Sequence, residues 1–369
     1  MRLRRIALSG FRNYDEESVE FGPDVNVICG VNAQGKTNLL EAVYLLTGAH
    51  SFRTRFDRDL IGFQCDWASL LAEIESGGRD QTVRLLFRKG QRRQVTVNGA
   101  RKTSSELSGV MRAVLFSPDD LYLIKEGPAA RRRLMDNAIA QLRPGYGALL
   151  TDYNRLYENK SRILKDFREK PRLLDTLDEF SDGLARCSAR MIRYRASFVD
   201  RLARTAAPIQ RDFSGGGEEL SLSYRTVSTV TDPAAPVQEI YYQICEHQEQ
   251  HRQAEIESGQ CLTGAHKDDI DIAIGGVSAR SFASQGQTRT AALSIKLAER
   301  EIFKSETGEY PVLLLDDVLS ELDAGRQEFV LNRIGGGQTL ITCCEDGDIS
   351  RRTGGRVFTV SGGRIREEG

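Results

Sequence analysis

Gly30-Val31-Asn32-Ala33-Gln34-Gly35-Lys36-Thr37 matches G-x-x-x-x-G-K-[ST] between a strand pattern and a helix pattern. Val25, Val27 and Ile28 precede it; Leu39, Leu40, Val43 and Tyr44 follow at helical spacing, ending at Gly48. In that setting the string reads as a P-loop. Its glycines let successive backbone N–H groups turn inward on an anion, and the helix behind adds the positive end of its dipole. Gly30, Asn32, Gln34, Gly35 and Asn38 then surround phosphate, Lys36 reaches the β- and γ-phosphates as a catalytic cation, and Thr37 ligates magnesium. Nucleotide is the first ligand to expect.

The bulk composition excludes several other classes. With 369 residues, 40% hydrophobic and 28% charged, the chain has room for two or three domains of a soluble globular protein. Seven cysteines without a C-x-x-C pair make neither a disulfide framework nor a zinc module, so a reducing, cytoplasmic setting is expected. Cys29 is expected to pack beneath the loop. No run of eighteen apolar residues is present, and Met1-Arg2-Leu3-Arg4-Arg5 leads into an alternating strand, so neither membrane insertion nor secretion is expected. The formal net charge of −1 means that any nucleic-acid binding must use a local basic surface.

Along the chain, residues 1–125 read as a β-rich half domain with strands at 3–8, 25–29, 68–74, 83–87 and 94–97, the last closed by an Asn98-Gly99 hairpin turn. Residues 126–262 read as a helical insertion. Leu149, Tyr153, Leu156, Tyr157, Ile163, Leu164 and Phe167 mark one helix; after Pro171, Leu177, Phe180, Leu184, Cys187, Met191, Tyr194 and Phe198 mark a second, stepping alternately by three and four. An antiparallel helical hairpin is expected, with a second arm of roughly 30 residues and so about 45 Å of reach. Ser214-Gly215-Gly216-Gly217 and Asp232-Pro233-Ala234-Ala235-Pro236 break the chain before a helix over 237–257. Residues 263–369 read as a second α/β half. Within it Val312-Leu313-Leu314-Leu315-Asp316-Asp317 is an apolar run ending in two carboxylates, a Walker B strand. Asp316 would hold magnesium through water, and Asp317 would orient the attacking water. A nucleotide site is thus expected from two distant ends of one chain.

Ser284-Gln285-Gly286-Gln287 before a helix, then Walker B, then Ser320-Glu321-Leu322-Asp323, resemble the signature motif, Walker B and D-loop of the ABC-type ATPase head. Read alone, the first string is an ordinary helix cap. A head split by helices is similar to the SMC-like DNA-repair ATPases, and the short insertion resembles the RecF family among them. Phe11-Arg12-Asn13-Tyr14, Phe116-Ser117-Pro118-Asp119-Asp120-Leu121, Arg131-Arg132-Arg133 after Pro128, and Gly264-Ala265-His266-Lys267-Asp268-Asp269 carry that resemblance. The family's own form around His266 is Gly-Pro-His-Arg, from which Ala265 and Lys267 depart.

The resemblance implies an ABC-type P-loop ATPase head assembled from both chain ends, with an inserted helical arm. It implies ATP and Mg2+ as ligands, with Arg12 and Asn13 beside the nucleotide. Ser284, Gly286 and Gln287 would meet the γ-phosphate held by a second copy, making an ATP-dependent homodimer. It further implies a clamp in recombinational repair and replication restart that binds single- and double-stranded DNA near gaps. Expected partners are RecR with RecO and, through them, the RecA recombinase, and the setting is nucleoid-associated. Asp317, where most ABC heads carry Glu, implies slow hydrolysis. Cys343, Cys344 and Glu345 stand where transporters have a switch His, and 116–121 stands in place of the Q-loop. A transporter subunit would show that His and a shorter helical subdomain. An SMC-like ATPase serving a nuclease or toxin would share the head without the RecF-like strings.

Between 126 and 210, 17 Lys+Arg face 11 Asp+Glu, so this segment carries +6 and the remainder −7. Arg186, Arg190 and Arg193 share a helical face, and Arg131 and Arg132 begin the arm; with Arg53 and Arg55 on the head they are candidates for DNA phosphates. A solvated face with internal ion pairs explains the same charges. Arg53 can instead act on the nucleotide as an arginine finger, by analogy with SMC heads. His247 and His251 have zinc-ligand spacing, but Gln248 replaces a metalloprotease Glu, so they read as a wet helix face.

Overall fold

The computed structural model describes residues 1–107, 109–344 and 349–368; Glu345 lies outside them. The chain divides into two compact units, Met1–Tyr122 with Ala292–Gly369, and Leu123–Ala291.

The first unit holds two six-stranded sheets. One is antiparallel, in the order Tyr14–Glu20, Arg2–Phe11, Trp67–Ser76, Arg79–Arg88, Gln94–Val97, Ala100–Lys102. Its last hairpin turns at Asn98 and Gly99, both with positive φ, as a two-residue turn that follows the strand twist requires. The other runs Arg364–Glu368, Arg356–Ser361, Val25–Cys29, Thr339–Cys343, Val312–Asp316, Ala113–Phe116; every pairing is parallel except the terminal hairpin. One core contains Leu3, Ile6 and Leu70 of the first sheet, Ile28, Leu314 and Leu340 of the second, and Leu39, Leu40 and Val43 of the helix Lys36–Leu45. The sequence spacing gave that helix one apolar face. Instead every residue from Leu39 to Leu45 is buried, because the rest of the unit covers the helix on all sides, with Glu41 paired to Arg12.

The second unit contains Pro128–Leu142, Pro144–Asp166, Leu177–Phe213 and Val237–Ser258, with an antiparallel sheet of Val277–Ser278, Asp269–Ile274 and Leu220–Arg225. Asp269–Ile274 pairs with Leu220–Arg225 rather than with either sheet of the first unit, which moves the second boundary from 262/263 to 291/292. The long arm helix has 37 residues and remains helical through Pro208. Besides the expected seam at Leu184, Met191 and Phe198, it buries a second row of Ala185, Ala189 and Ile192 against Val227, Val230, Ile240 and Ile244. A two-helix hairpin therefore understates its packing.

Charge holds the centre of this unit. Arg195 donates to Asp136 at 2.9 Å and to Asp268 at 2.7 Å, Arg131 forks onto Asp269 at 2.6 and 3.0 Å, and Lys160 lies 2.7 Å from Glu255. Lys160, Glu255, Arg131, Arg195, Asp268 and Asp269 are all buried. Part of the arm's positive surplus thus neutralises carboxylates supplied by residues 255–269. Asp268 also accepts from Thr226 and Tyr224, and burial, its dominant influence, holds its pKa above the ordinary value despite Arg195.

His266 sits in the same region. Its backbone N–H donates to the Tyr153 hydroxyl at 3.0 Å, and that hydroxyl lies 2.8 Å from Nδ1 while Nε2 lies 3.1 Å from the Cys261 carbonyl. One arrangement of protons satisfies all three contacts: Nε2–H donates to the carbonyl and Nδ1 accepts from Tyr153. Burial first, and then Lys267 and Arg132, hold the imidazole down to about 4. His247 is buried, its ring stacked on the half-buried His251 at 4.1 Å, so this pair is not the wet face expected. Among the described residues no group of three metal-binding side chains occurs, and no helix is long and apolar enough to cross a membrane.

A histidine held neutral in the fold and free to protonate when unfolded removes stability as pH falls from about 6.5 toward 4. Urea denaturation of the wild type should therefore weaken across that window by about 2–3 kcal/mol more than that of His266→Gln. Parallel pH profiles would contradict the neutral imidazole.

Candidate functional site

The phosphate loop leaves the sheet at Cys29, whose thiol is buried 3.2 Å from that of Cys343 on the paired strand. Gly30 follows at φ 152°; a Cβ there would lie 2.3 Å from the Val360 carbonyl oxygen, so only glycine lets the loop pass the terminal hairpin this closely. Gly35 has φ 124°, and a Cβ would meet Asn13 Nδ2 at 2.8 Å and the Tyr14 hydroxyl at 2.9 Å. The loop is pinned from outside. Asn13 donates to the Gln34 carbonyl at 2.8 Å, Tyr14 to the Gly35 carbonyl at 2.9 Å, and the Gln34 side chain accepts from Gly362 N–H at 2.6 Å.

A cavity of about 300 Å³ opens over the loop, lined by Asn32, Ala33, Gly35, Lys36, Thr37, Asn38, Arg53 and Asp317. Lys36 Nζ rests on the carbonyls of Gly30, at 2.5 Å, and Val31, at 3.2 Å. Thr37 Oγ1 donates to Asp316 Oδ1 at 2.9 Å, and Thr342 Oγ1 donates to the same oxygen at 2.9 Å. Burial pushes Asp316 above the ordinary carboxylate range, Asp317 adds to the rise, and the two hydroxyls and Arg53 oppose it. Asp317 takes up the left-handed region at φ 54°, fastened by its N–H to Thr342 Oγ1 at 2.8 Å and by Ser320 Oγ to its carbonyl at 2.6 Å. This rare conformation for a side-chain-bearing residue puts the second carboxylate on the cavity wall.

An ammonium, a guanidinium and a glycine-rich cradle fit a polyphosphate, while a hydroxyl beside a buried carboxylate has the hard oxygen donors that suit magnesium. The chain matches the family described as RecF/RecN/SMC N terminal domain over residues 2–353. It is 39% identical over 346 residues to the DNA replication and repair protein RecF of Acetivibrio thermocellus, covering 94% of each chain. It is 39% identical over 376 residues to the RecF of Listeria monocytogenes serotype 4b, covering both in full. The chain belongs to the RecF family. A solved structure of the recombination mediator protein RecF with ATP, in the RecFOR pathway, superposes with a TM-score of 0.91 at 32% identity, covering all of this chain and 97% of that one. An Smc head domain from Pyrococcus furiosus superposes at 0.57 with 16% identity, which speaks for the ABC-type head fold alone.

Membership in the RecF family, with its ABC- and SMC-like ATPase head, accounts for the strings around the loop, and the geometry separates their roles. Arg12 does not line the cavity. Its guanidinium forks onto Glu41 at 2.7 and 2.8 Å and reaches the Asp59 carbonyl, because Glu41 is fully buried and must be paired. Asn13 likewise buttresses the loop from outside that lining, and Gly30 and Gln34, within the loop, do not line the cavity. Arg53, exposed, lies on the cavity wall beside Asn38 and 3.8 Å from Glu41; Arg55 is exposed too but does not line the cavity.

Arg131 cannot reach a DNA phosphate, since it is buried on Asp269; Arg132, half-buried, donates to the Asp268 carbonyl at 2.8 Å. Arg186, Arg190 and Arg193 are exposed, with Arg186 paired to Asp182. Ser284, Gly286 and Gln287 belong to the second unit, at the amino end of the helix Gln285–Thr307. Ser284 N–H donates to Gln287 Oε1 at 2.9 Å, and Gln287 N–H donates to Ser284 Oγ at 3.2 Å. This is a capping box, and Ser284 Oγ, an acceptor within it, keeps its own proton to give. The sequence reading missed the Val360–Gly363 buttress, although Ser361-Gly362-Gly363-Arg364 carries a turn signal.

Gly30→Ala should lower ATP affinity about tenfold or more, as 1–3 kcal/mol of strain at the loop implies, while Gly335→Ala, facing open space, should not. Titration with a fluorescent ATP analogue measures both, and equal affinities would mean the Val360 contact is unimportant.

Proposed function

We propose that this protein is an ATP-gated DNA-binding clamp of recombinational repair and replication restart, acting as a slow, DNA-dependent ATPase. The cavity wall supports the reading: it holds the phosphate loop, Arg53 and Asp317, and the signature string of a second copy would complete it around the nucleotide. Ser284, Gly286 and Gln287 of that copy would meet the γ-phosphate, and only ATP is long enough to join both. Val31 on the loop and Val277 and Phe282 near the signature string are exposed apolar groups suited to an interface that forms with ATP and parts after hydrolysis.

Within one copy, Lys36 and the loop amides would bind the β- and γ-phosphates, and Thr37 with Asp316 would hold Mg2+. The metal, when bound, would offset phosphate charge. Asp317, one methylene shorter than the usual Glu, would orient the attacking water, and slow turnover would make the nucleotide a timer. Arg53 would act on the nucleotide rather than on DNA. Arg55, Arg186, Arg190 and Arg193 would contact single- and double-stranded DNA near gaps without reading sequence. RecR with RecO, and through them RecA, would be the partners, as the RecFOR setting of the solved relative supports.

Sedimentation with ATP, ADP and duplex DNA tests the clamp. Wild type should dimerise with ATP and bind duplex; Lys36→Met should stay monomeric, and Asp317→Asn should dimerise but release DNA at least about tenfold more slowly. A protein that stays monomeric with ATP and DNA together is not this clamp, and normal hydrolysis by Asp317→Asn would remove Asp317 from its role.

A proton on Asp316 competes with the cation, and its raised pKa brings that competition closer to neutrality. Magnesium-dependent ATP affinity should therefore fall as pH drops toward the carboxylate range, and this fall should be smaller in Asp316→Asn. Calorimetric titration with and without Mg2+ would show it, and an unchanged slope in the variant would place the metal elsewhere.

A further inference from the structure

One ammonium gathers the backbone just ahead of the signature string. Lys125, in the turn before Pro128–Leu142, donates from Nζ to the carbonyls of Ala283 at 2.9 Å, Arg280 at 3.1 Å and Ala279 at 3.5 Å. Those carbonyls belong to the four-residue helix Ala279–Phe282 and the residue after it, with Ser284 next in the chain. A single helical turn, closed by Ala283 N–H donating to the Ala279 carbonyl at 3.2 Å, has little stability of its own. An ammonium with three donors ties its carbonyls together, at the end of the turn where the peptide dipoles are negative. Lys125 is itself held in place. Arg131, forked onto Asp269, donates to the carbonyls of Leu123 and Glu126 on either side of it, both at 2.9 Å. Asp269 opens the strand that runs, through Val277–Ser278, into Ala279–Phe282, so the frame closes on itself.

The consequence falls on Ser284. The peptide unit joining Ala283 to Ser284 is fixed at both ends: its carbonyl accepts from Lys125, and its N–H donates to Gln287 Oε1 at 2.9 Å. The next carbonyl, that of Ser284 itself, accepts from Thr288 N–H at 3.0 Å and from the Thr288 hydroxyl at 3.2 Å. With both flanking peptides fixed, the Ser284 hydroxyl is aimed before any partner arrives, and ordering it at that moment costs no binding energy. We propose that Lys125 is a positioning residue for the nucleotide site of a second copy: it presets the signature string that its own chain offers in trans. The inference rests on the clamp reading above and adds to it a residue outside every phosphate-binding string.

The test compares Lys125→Met, which keeps an unbranched stem and removes the charge, with Lys125→Arg, which keeps the charge and its donors. Lys125 is exposed, so circular dichroism melts of both should match wild type. Titration with a fluorescent ATP analogue, at protein concentrations too low for dimers, should give one affinity for all three. Sedimentation with ATP should show the Lys125→Met dimer about tenfold weaker and the Lys125→Arg dimer within about threefold of wild type. Amide exchange of the nucleotide-free proteins, read by mass spectrometry, should quicken about tenfold across residues 279–287 in Lys125→Met and stay unchanged across 269–274. Lys125→Met that loses ATP affinity as a monomer, or exchanges no faster at Ser284, overturns the positioning role, as does Lys125→Arg as weak as Lys125→Met. If Lys125→Met melts early, Lys125→Gln, with two donors and no charge, is judged by the same criteria. Wild type that stays monomeric with ATP overturns the clamp reading and this role with it; wild type that dimerises while Lys125→Met equals it overturns the positioning role alone.

Discussion

Thr37 and Asp316 are separated by 279 positions in sequence, yet one hydrogen bond of 2.9 Å joins them. That contact requires three parallel strands in one register: Cys29 opposite Cys343, Ile28 opposite Thr342, and Thr342 opposite Asp316. A slip of one residue would turn Thr342 and Asp316 to the opposite faces of the sheet and take the buried carboxylate away from the loop. Register is secured by burial, since Val312–Asp316 and Thr339–Cys343 are buried at every position. Hydrophobic packing of the strands thus places the groups that would handle phosphate.

A different constraint governs the helical unit. Its interior contains carboxylates and cations that cannot be left single, because a lone buried charge costs far more than the pair it belongs to. Asp268 has Arg195, Tyr224 and Thr226 around it, and Asp269 has Arg131 and Arg225. These contacts tie Asp269–Ile274 and the residue before it to two helices that hydrophobic periodicity alone would leave free to slide. They also sort the basic residues by role: Arg131 and Arg195 serve the interior, while Arg143, Arg186, Arg190 and Arg193 are exposed.

Elements with a strong period or a turn signal were legible in the chain. Val25–Cys29 and Gln94–Val97 fall where alternation and the Asn98-Gly99 turn put them, and the helix expected over 237–257 runs Val237–Ser258. Tyr14–Glu20 was not legible, because Asp15, Glu16 and Glu17 crowd an edge strand whose outer face is exposed. Leu220–Arg225 alternates Leu, Ser, Leu, Ser, Tyr and carried a usable period-two signal that the neighbouring glycine run obscured. Arg12 and Arg131 sit in the right motifs, but side-chain direction is a tertiary property, and both turn toward buried carboxylates far along the chain.

By itself the sequence determined the phosphate loop, the acidic end of a buried strand, the helical interruption and the family, because spacing and residue type encode local geometry and its chemistry. Only the tertiary structure decided which cations stay exposed and which are locked inside, that the terminal hairpin buttresses Gly30, and that Asp269–Ile274 belongs with the helices. Those outcomes depend on burial and on partners remote in sequence, and a charge alone does not say whether it will meet water or a carboxylate.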